Sequence, residues 1–406
     1  MKITNVQGFL MSSPLPNEIS LPFWGGIRTI TKRDAMLIKV TADNGLTGYA
    51  PGPAFSRALE EINTVIRSFL VGKDPLQWKQ FRFQGSLDTS KTYYATEVAL
   101  FDLIGKFEGC SISELMGGRV RSRLKLYGSA GMYMSPDKYA EEAAAIQAMG
   151  FSAYKMRPGL GPDDDLKTVE LMRKATGPDF GLMIDAHTWW RMGDKNYSEE
   201  VIHDLARAFR PHNPYWLEEP FNPEDHIAYK NLKDKNVVTV ATGEHEQEYE
   251  GFEHLAHLRA ADFLQMDVCC QGGFDMGLKV FDLAKNHDLK FAFHSWGTTL
   301  EVLAAAQLGA CRSESVVEWL EYPCYSSPGR VGMYPFPLSD EILSEKLDIE
   351  NGYIKLPSGP GLGIDINEEV IEKYPFIPGP WSFFHQSSPK RTIAVTGDHS
   401  VKWVKQ

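Results

Sequence analysis

Acidic residues recur at nearly even intervals through the middle of the chain, each where an apolar, β-prone run ends. Asp185 closes GLMIDAH, Glu218 and Glu219 close YWLEEP, and Glu244 closes VVTVATGEH. The intervals are 33 residues (218 minus 185) and 26 residues (244 minus 218), each about one strand-and-helix unit. Taken singly, each acid would be a helix cap or a solvated ion pair. Three in register would crowd like charge at one point unless a hard cation sat among them. Oxygen-only donors suit Mg²⁺, which keeps positions open for substrate oxygens. A zinc hydrolase would instead need an early His-x-His pair, which is absent. Further on, Asp267 and His294 end two successive runs 27 residues apart (294 minus 267), which predicts neighbours on adjacent strands. An aspartate on one ring nitrogen fixes the tautomer and leaves the other nitrogen as a general base.

The elements that must position these groups can be read from periodicity. Eight short runs alternate with amphipathic helical stretches: LKLYGSA, SAYKMR, GLMIDAH, YWLEEP, VVTVATGEH, DFLQMDV, LKFAFHS and VVEWLEY. Eight parallel strands with crossover helices predict an α/β chain built on a (β/α)₈ (TIM-type) barrel, whose active site lies where the strands end. A doubly wound sheet would need a Gly-rich phosphate loop, and none is found. Residues 1 to about 120 read as an α+β domain, with MLIKVTAD and LTGYA flanking the turn dipeptide Asn44-Gly45. The barrel is expected over 121–365. The segment 366–406 is expected to pack back on the first domain and complete it.

Bulk composition narrows the function. The 406 residues, 43% apolar and 23% charged, can bury a large core. A net charge of -11 without a basic stripe argues against nucleic acid as a partner. No apolar run approaches the roughly 18 residues that span a bilayer, and MKITNVQGFLMSS lacks the features of a signal peptide. No membrane partner and a cytoplasmic location are therefore expected. The five cysteines show no CxxC spacing and read as free thiols.

These motifs together resemble the enolase superfamily and, within it, the mandelate racemase subgroup. TEVALFDLIGKFEGCSISELMGG is similar to the helix-rich stretch of that family's capping domain, and PGLGIDIN resembles its exit segment. YKMR resembles the Lys-x-Lys of the second barrel strand; MIDAH, WLEEP and TGEH resemble the three metal-ligand strand ends; DVCCQGG and FHSW resemble the dyad. The resemblance implies one Mg²⁺ per subunit on Asp185, Glu218 and Glu244, with Glu219 as a partner for Lys155. It implies that Glu321, in LEYP, binds the substrate carboxylate, although Glu318 competes for that role while the strand register is open.

One departure is informative, because Arg157 stands where the family has its second lysine. A guanidinium with a pKa of about 12.5 or more hardly removes a proton. Racemisation needs a base on each face, so it is disfavoured, whereas dehydration needs only one. His294 would take the α-proton, with Lys155, Glu321 and the metal holding the enediolate; the acid for the departing hydroxide is His294 or His187. His187 sits two residues after Asp185, on the same strand face, and Asp-x-His resembles sugar-acid dehydratases. His245, Trp24 and Arg28 are expected to contact substrate. The expectation is a Mg²⁺-dependent acid-sugar dehydratase, a carbon-oxygen lyase acting on a C5 or C6 aldonate with R configuration at C2 and assembled as a homo-oligomer. A lactone cycloisomerase or epimerase of the same superfamily, and a barrel without turnover, are the alternatives.

Overall fold

The computed structural model describes residues 1–325 and 335–395. Residues 326–334 of the expected barrel span and 396–406 of the expected C-terminal segment lie outside the described residues.

The chain begins with β1 (Ile3–Phe23) and β2 (Gly26–Ala42), a long antiparallel pair, followed by β3 (Thr47–Gly52) on the other side of β2. Gly45 supplies the left-handed backbone, φ +84°, that the turn between β2 and β3 requires. A helix, Leu87–Glu108, packs on β3, capped by the Ser86 hydroxyl at its start and ended by Gly109 at φ +70°.

Eight parallel strands then follow: β4 (Arg123–Met132), β5 (Ala153–Arg157), β6 (Gly181–Asp185), β7 (Trp216–Glu218), β8 (Val240–Thr242), β9 (Phe263–Met266), β10 (Lys290–Phe293) and β11 (Val317–Pro323). Each pairs with the next, and β11 pairs with β4, so the sheet closes. The architecture is a (β/α)₈ barrel with an N-terminal capping domain. Next, β12 (Ile349–Glu350) and β13 (Tyr353–Lys355) add an antiparallel extension at the start of β4. Finally β14 (Ser382–Ser387) and β15 (Lys390–Val395) return to the first sheet, where β14 pairs with β2. No described helix is long and apolar enough to cross a membrane.

One residue from each barrel strand forms an apolar layer inside the barrel: Tyr127, Ala153, Met183, Trp216, Ala241, Phe263, Ala292 and Trp319. Alanines between bulky neighbours let aromatic rings reach across, as Tyr127 meets Trp216 at 5.4 Å between ring centroids. This layer is the dry floor of whatever stands above it.

Asp102, fully buried in the Leu87–Glu108 helix, ties cap to barrel. It accepts from Tyr49 N at 2.9 Å on β3, from Leu362 N at 2.8 Å in the exit segment, and from Lys106 Nζ at 2.7 Å. Asp102→Ala leaves two buried N–H groups unpaired and is expected to cost about 3 kcal/mol. Denaturant unfolding checks this; a loss below about 1 kcal/mol would show that the tie is incidental.

Candidate active site

Strand alternation decides which side chains reach the barrel mouth. Two residues beyond the apolar layer, the same inward phase presents Lys155, Asp185, Glu218, Gln265, His294 and Glu321. All are at most 5% exposed, so the charged ones act on one another with little screening by water.

Lys155 Nζ is the hub of this layer. It lies 2.6 Å from Glu218 Oε1, 3.1 Å from Glu321 Oε1 and 3.5 Å from Asp185 Oδ2. Burial opposes its charge, but Glu218 and Glu321 hold its pKa well above the usual lysine range. Arg157 reaches the same acids, with Nε 3.1 Å from Asp185 Oδ2 and Nη2 3.4 Å from Glu321 Oε1. Asp185 also takes His187 Nδ1 at 2.7 Å. Burial pushes the His187 pKa down to about 4, against the attraction of Asp185.

The predicted dyad is present: His294 Nδ1 lies 2.9 Å from Asp267 Oδ2, while Asp267 Oδ1 accepts from Cys269 N and Cys270 N. Its other nitrogen, Nε2, faces Glu244 Oε2 at 3.5 Å and Glu321 Oε2 at 4.0 Å. Burial alone would lower the His294 pKa; Glu244, the hydrogen-bonded Asp267 and Glu321 outweigh it and hold the value up at about 10.

Beside these groups is a second acidic cluster. His245 Nδ1 lies 2.7 Å from Glu219 Oε2 and 3.6 Å from Glu244 Oε1, and its Nε2 accepts from Arg191 Nη2 at 2.6 Å. Among the described residues, ligand atoms of Glu219, Glu244 and His245 form a group within 4.8 Å of one another that could hold a metal ion. Oε1 of Glu219 is buried without a partner, and Oε2 of Glu244 makes no hydrogen bond, its nearest cationic neighbour being His294 Nε2 at 3.5 Å. Burial raises the Glu219 pKa to about 8. Unpaired buried carboxylate oxygens fit a hard divalent cation.

Three expectations change on this geometry. Lys155 is paired with Glu218 and not Glu219, because Glu219 follows the end of β7 with left-handed backbone, φ 44°, and swings toward His245. Glu318 is out of the site: it lies one residue off the inward phase of Trp319 and Glu321, and holds Tyr215 Oη and Lys290 Nζ near the opposite end of the barrel. Trp24 packs on the Gly159–Gly161 loop and is not among the cavity-lining residues. Glu244 stands in the loop just after β8, past Gly243 at φ +127°.

A cavity of about 180 Å³ joins barrel to cap. Arg157, His187, Arg191, Glu244, His245 and His294 line its barrel side; Arg28, Arg33, Trp381 and Phe384 line its cap side.

Residues 11–117 match the family described as mandelate racemase / muconate lactonizing enzyme, N-terminal domain, and residues 138–370 match the enolase C-terminal domain-like family. The chain belongs to the mandelate racemase/muconate lactonizing enzyme family of the enolase superfamily. Among its relatives, the D-galactarolactone cycloisomerase of Agrobacterium fabrum is 30% identical, over 92% of this chain and 99% of that protein. The D-gluconate dehydratase of Thermoproteus tenax is 26% identical, over 84% of this chain and 69% of that protein. The solved 3,6-anhydro-D-galactonate cycloisomerase of Zobellia galactanivorans superposes with a TM-score of 0.76 at 28% identity, covering 92% of this chain and 99% of that one.

On this mandelate racemase-type barrel, sequence reasoning missed three residues. Gln265 is fully buried in the inward layer with both amide ends unpartnered; its position two after Phe263 was the available signal. Glu301 contacts Asp267 behind the dyad, and burial with the neighbouring Asp267 holds its pKa well above the carboxylate range. Arg191 comes from a loop with no periodicity to mark it.

The His294 value, about 10 against an ordinary 6.5, has a definite sign. The imidazolium stabilises the fold fully below the ordinary value, and that contribution is lost as pH rises through the folded one. Histidine NMR of metal-free protein is expected to show His294 protonated at about pH 8, and added Mg²⁺ is expected to lower its pKa by neutralising Glu244. A neutral ring in metal-free protein at that pH would contradict the charge arrangement.

Proposed function

We propose that the protein is a Mg²⁺-dependent enzyme that enolises a C5 or C6 sugar acid at its α-carbon and eliminates the β-hydroxyl, a dehydratase giving a 2-keto-3-deoxy acid. The observation that carries this reading is one proton-transfer pair, His294–Asp267, facing a cationic pair, Lys155 and Arg157, across the same buried layer. The family membership and the gluconate dehydratase likeness are consistent with it.

Asp185, Glu218 and Glu244 are proposed to hold the cation; Asp185 and Glu218 are register partners on adjacent strands. Bound there, Mg²⁺ would offset negative charge growing on the substrate carboxylate. The clustering of Glu219 and His245 with Glu244 favours a second set made of those three residues. Calorimetric Mg²⁺ titration of Glu218→Gln and Glu219→Gln separates them. The expected result is loss of binding in Glu218→Gln and weaker but measurable binding in Glu219→Gln; the reverse would move the ligand to Glu219.

His294 Nε2 takes the α-proton, and Asp267 keeps the ring in the right tautomer. Lys155 and Arg157 balance the charge that passes to the carboxylate oxygens. His294 then returns its proton to the departing hydroxyl. His187, whose Nδ1 is held by Asp185, presents Nε2 as an acceptor that orients a substrate hydroxyl. The acids around Arg157 hold its pKa still higher than usual, so it removes no proton. A base on the histidine face alone argues against racemisation, and, since the family resemblance implies that this face serves R centres, for a 2R substrate. An intramolecular leaving group in place of hydroxide would give a lactone cycloisomerase, the reading favoured by the 30% identical relative.

Screening aldonates, uronates, aldarates and their lactones with Mg²⁺ is expected to yield 2-keto-3-deoxy products that EDTA abolishes; products from lactones alone would select the cycloisomerase. His294→Asn should lose at least about 10²-fold in turnover and lose exchange of the α-proton with solvent deuterium. Preference for 2S acids, or exchange in that variant at the wild-type rate, would remove His294 as the base.

A further inference from the structure

We propose that Arg28 receives a second carboxylate at the far end of the substrate, which makes the substrate a dicarboxylic sugar acid or its lactone rather than a mono-acid. The inference rests on the sugar-acid reading above and narrows it.

Arg28 lies on β2, in register with Phe384 of β14, and is 7% exposed. Its guanidinium carbon is 4.9 Å from the ring centroids of both Trp381 and Phe384. Aromatic rings attract the cation but accept none of its five N–H donors along their edges, so the donors still call for an oxygen acceptor. Among the described residues no carboxylate, carbonyl or amide accepts from those donors, and Nε is buried without a partner. Asp34, the nearest acid in sequence, is taken by Lys32 at 3.0 Å and by Ser12 at 2.7 Å.

Each of the other cavity arginines already makes at least one polar side-chain contact, although Arg191 Nε, like that of Arg28, is buried without a partner. Arg157 holds Asp185 and Glu321, Arg191 holds His245, and Arg33 donates to Trp296 O and Tyr325 Oη. These side chains also mark a path from barrel to cap. Arg157 lies over Trp296 at 3.9 Å, Arg33 lies 5.8 Å from Trp296 and 5.2 Å from Trp381, and Arg28 shares Trp381. A substrate whose reacting carboxylate sits by Lys155 and Arg157 therefore extends toward Arg28. A planar, bidentate acceptor suits a desolvated guanidinium edge. The terminal hydroxymethyl of an aldonate would leave the cation without a counter-charge, and on that ground a dicarboxylic acid is proposed in place of the aldonate expected from sequence.

Binding to the Mg²⁺-loaded protein is measured for galactarate and D-glucarate, for their mono-acid counterparts D-galactonate and D-gluconate, and for 6-phospho-D-gluconate. At least one dicarboxylate is expected to bind about tenfold or more tightly than its mono-acid counterpart, the scale of one charge-assisted bidentate contact. Arg28→Gln is expected to bring that ratio to within about twofold. Arg28→Lys, which keeps the charge without the planar fork, is expected to retain part of the preference, and it decides the matter if Arg28→Gln does not fold. Equal binding of both classes by the wild type, or a preference that survives in Arg28→Gln or is undiminished in Arg28→Lys, overturns the inference and leaves the sugar-acid reading standing. Tighter binding of the phosphorylated acid than of either dicarboxylate replaces the carboxylate by phosphate and overturns it too. Binding of no sugar acid of any class removes the underlying reading, and this inference falls with it.

Discussion

Opposite charges buried together at the open end of the barrel are the constraint on which the rest of this structure depends. Asp185, Glu218 and Glu321 are at most 1% exposed, and Lys155 among them is fully buried. Each of these ions alone would bear a heavy desolvation cost, and only their mutual contacts make the layer tolerable. Such a layer cannot be flexible: removing one partner would leave the others as uncompensated buried charge. It is also polarised in a useful way. Acids surround His294 and cations face the carboxylates, so proton affinity and negative-charge stabilisation are built in at adjacent points.

A rigid frame for that layer comes from the strands below it. The apolar residues contributed by all eight strands set the inward phase, and the catalytic layer repeats it two residues further along. Alanine at three of the eight positions makes room for Tyr127, Trp216, Phe263 and Trp319 to fill the interior. Fold and site are thus one arrangement: the phase that packs the core also aims Lys155, Asp185, Glu218 and Glu321.

The cap adds the groups that the barrel lacks. Trp381 and Phe384, from the far C-terminal part of the described chain, stack on Arg28 from its beginning, and all three line the cavity above His294. Asp102 binds β3 and the exit segment to one helix, which holds the cap in register with the barrel. Barrel residues therefore supply the reacting chemistry, while residues distant in sequence shape the rest of the cavity.

How much of this was legible beforehand follows from which interactions are local. The eight strands, the closed barrel, and the placing of Asp185, Glu218, Asp267 and His294 at strand ends could be read from period-two runs and unit-length spacing. Strand alternation and chain connectivity are short-range properties of the sequence, so it determined these by itself. Choices made by contacts between distant segments, or by one unusual backbone angle, belonged to the tertiary structure. A left-handed residue at Glu219 put Glu218 on Lys155. The phase set by Trp319 chose Glu321 over Glu318. Gln265 became an unpaired amide, and Arg191 and Glu301 reached the site, through packing between units that no local pattern records. Arg28 shows the limit most clearly, since its type was visible from the start, but its surroundings appear only when β14 is laid beside β2 and brings Phe384 and Trp381 within 4.9 Å of its guanidinium carbon.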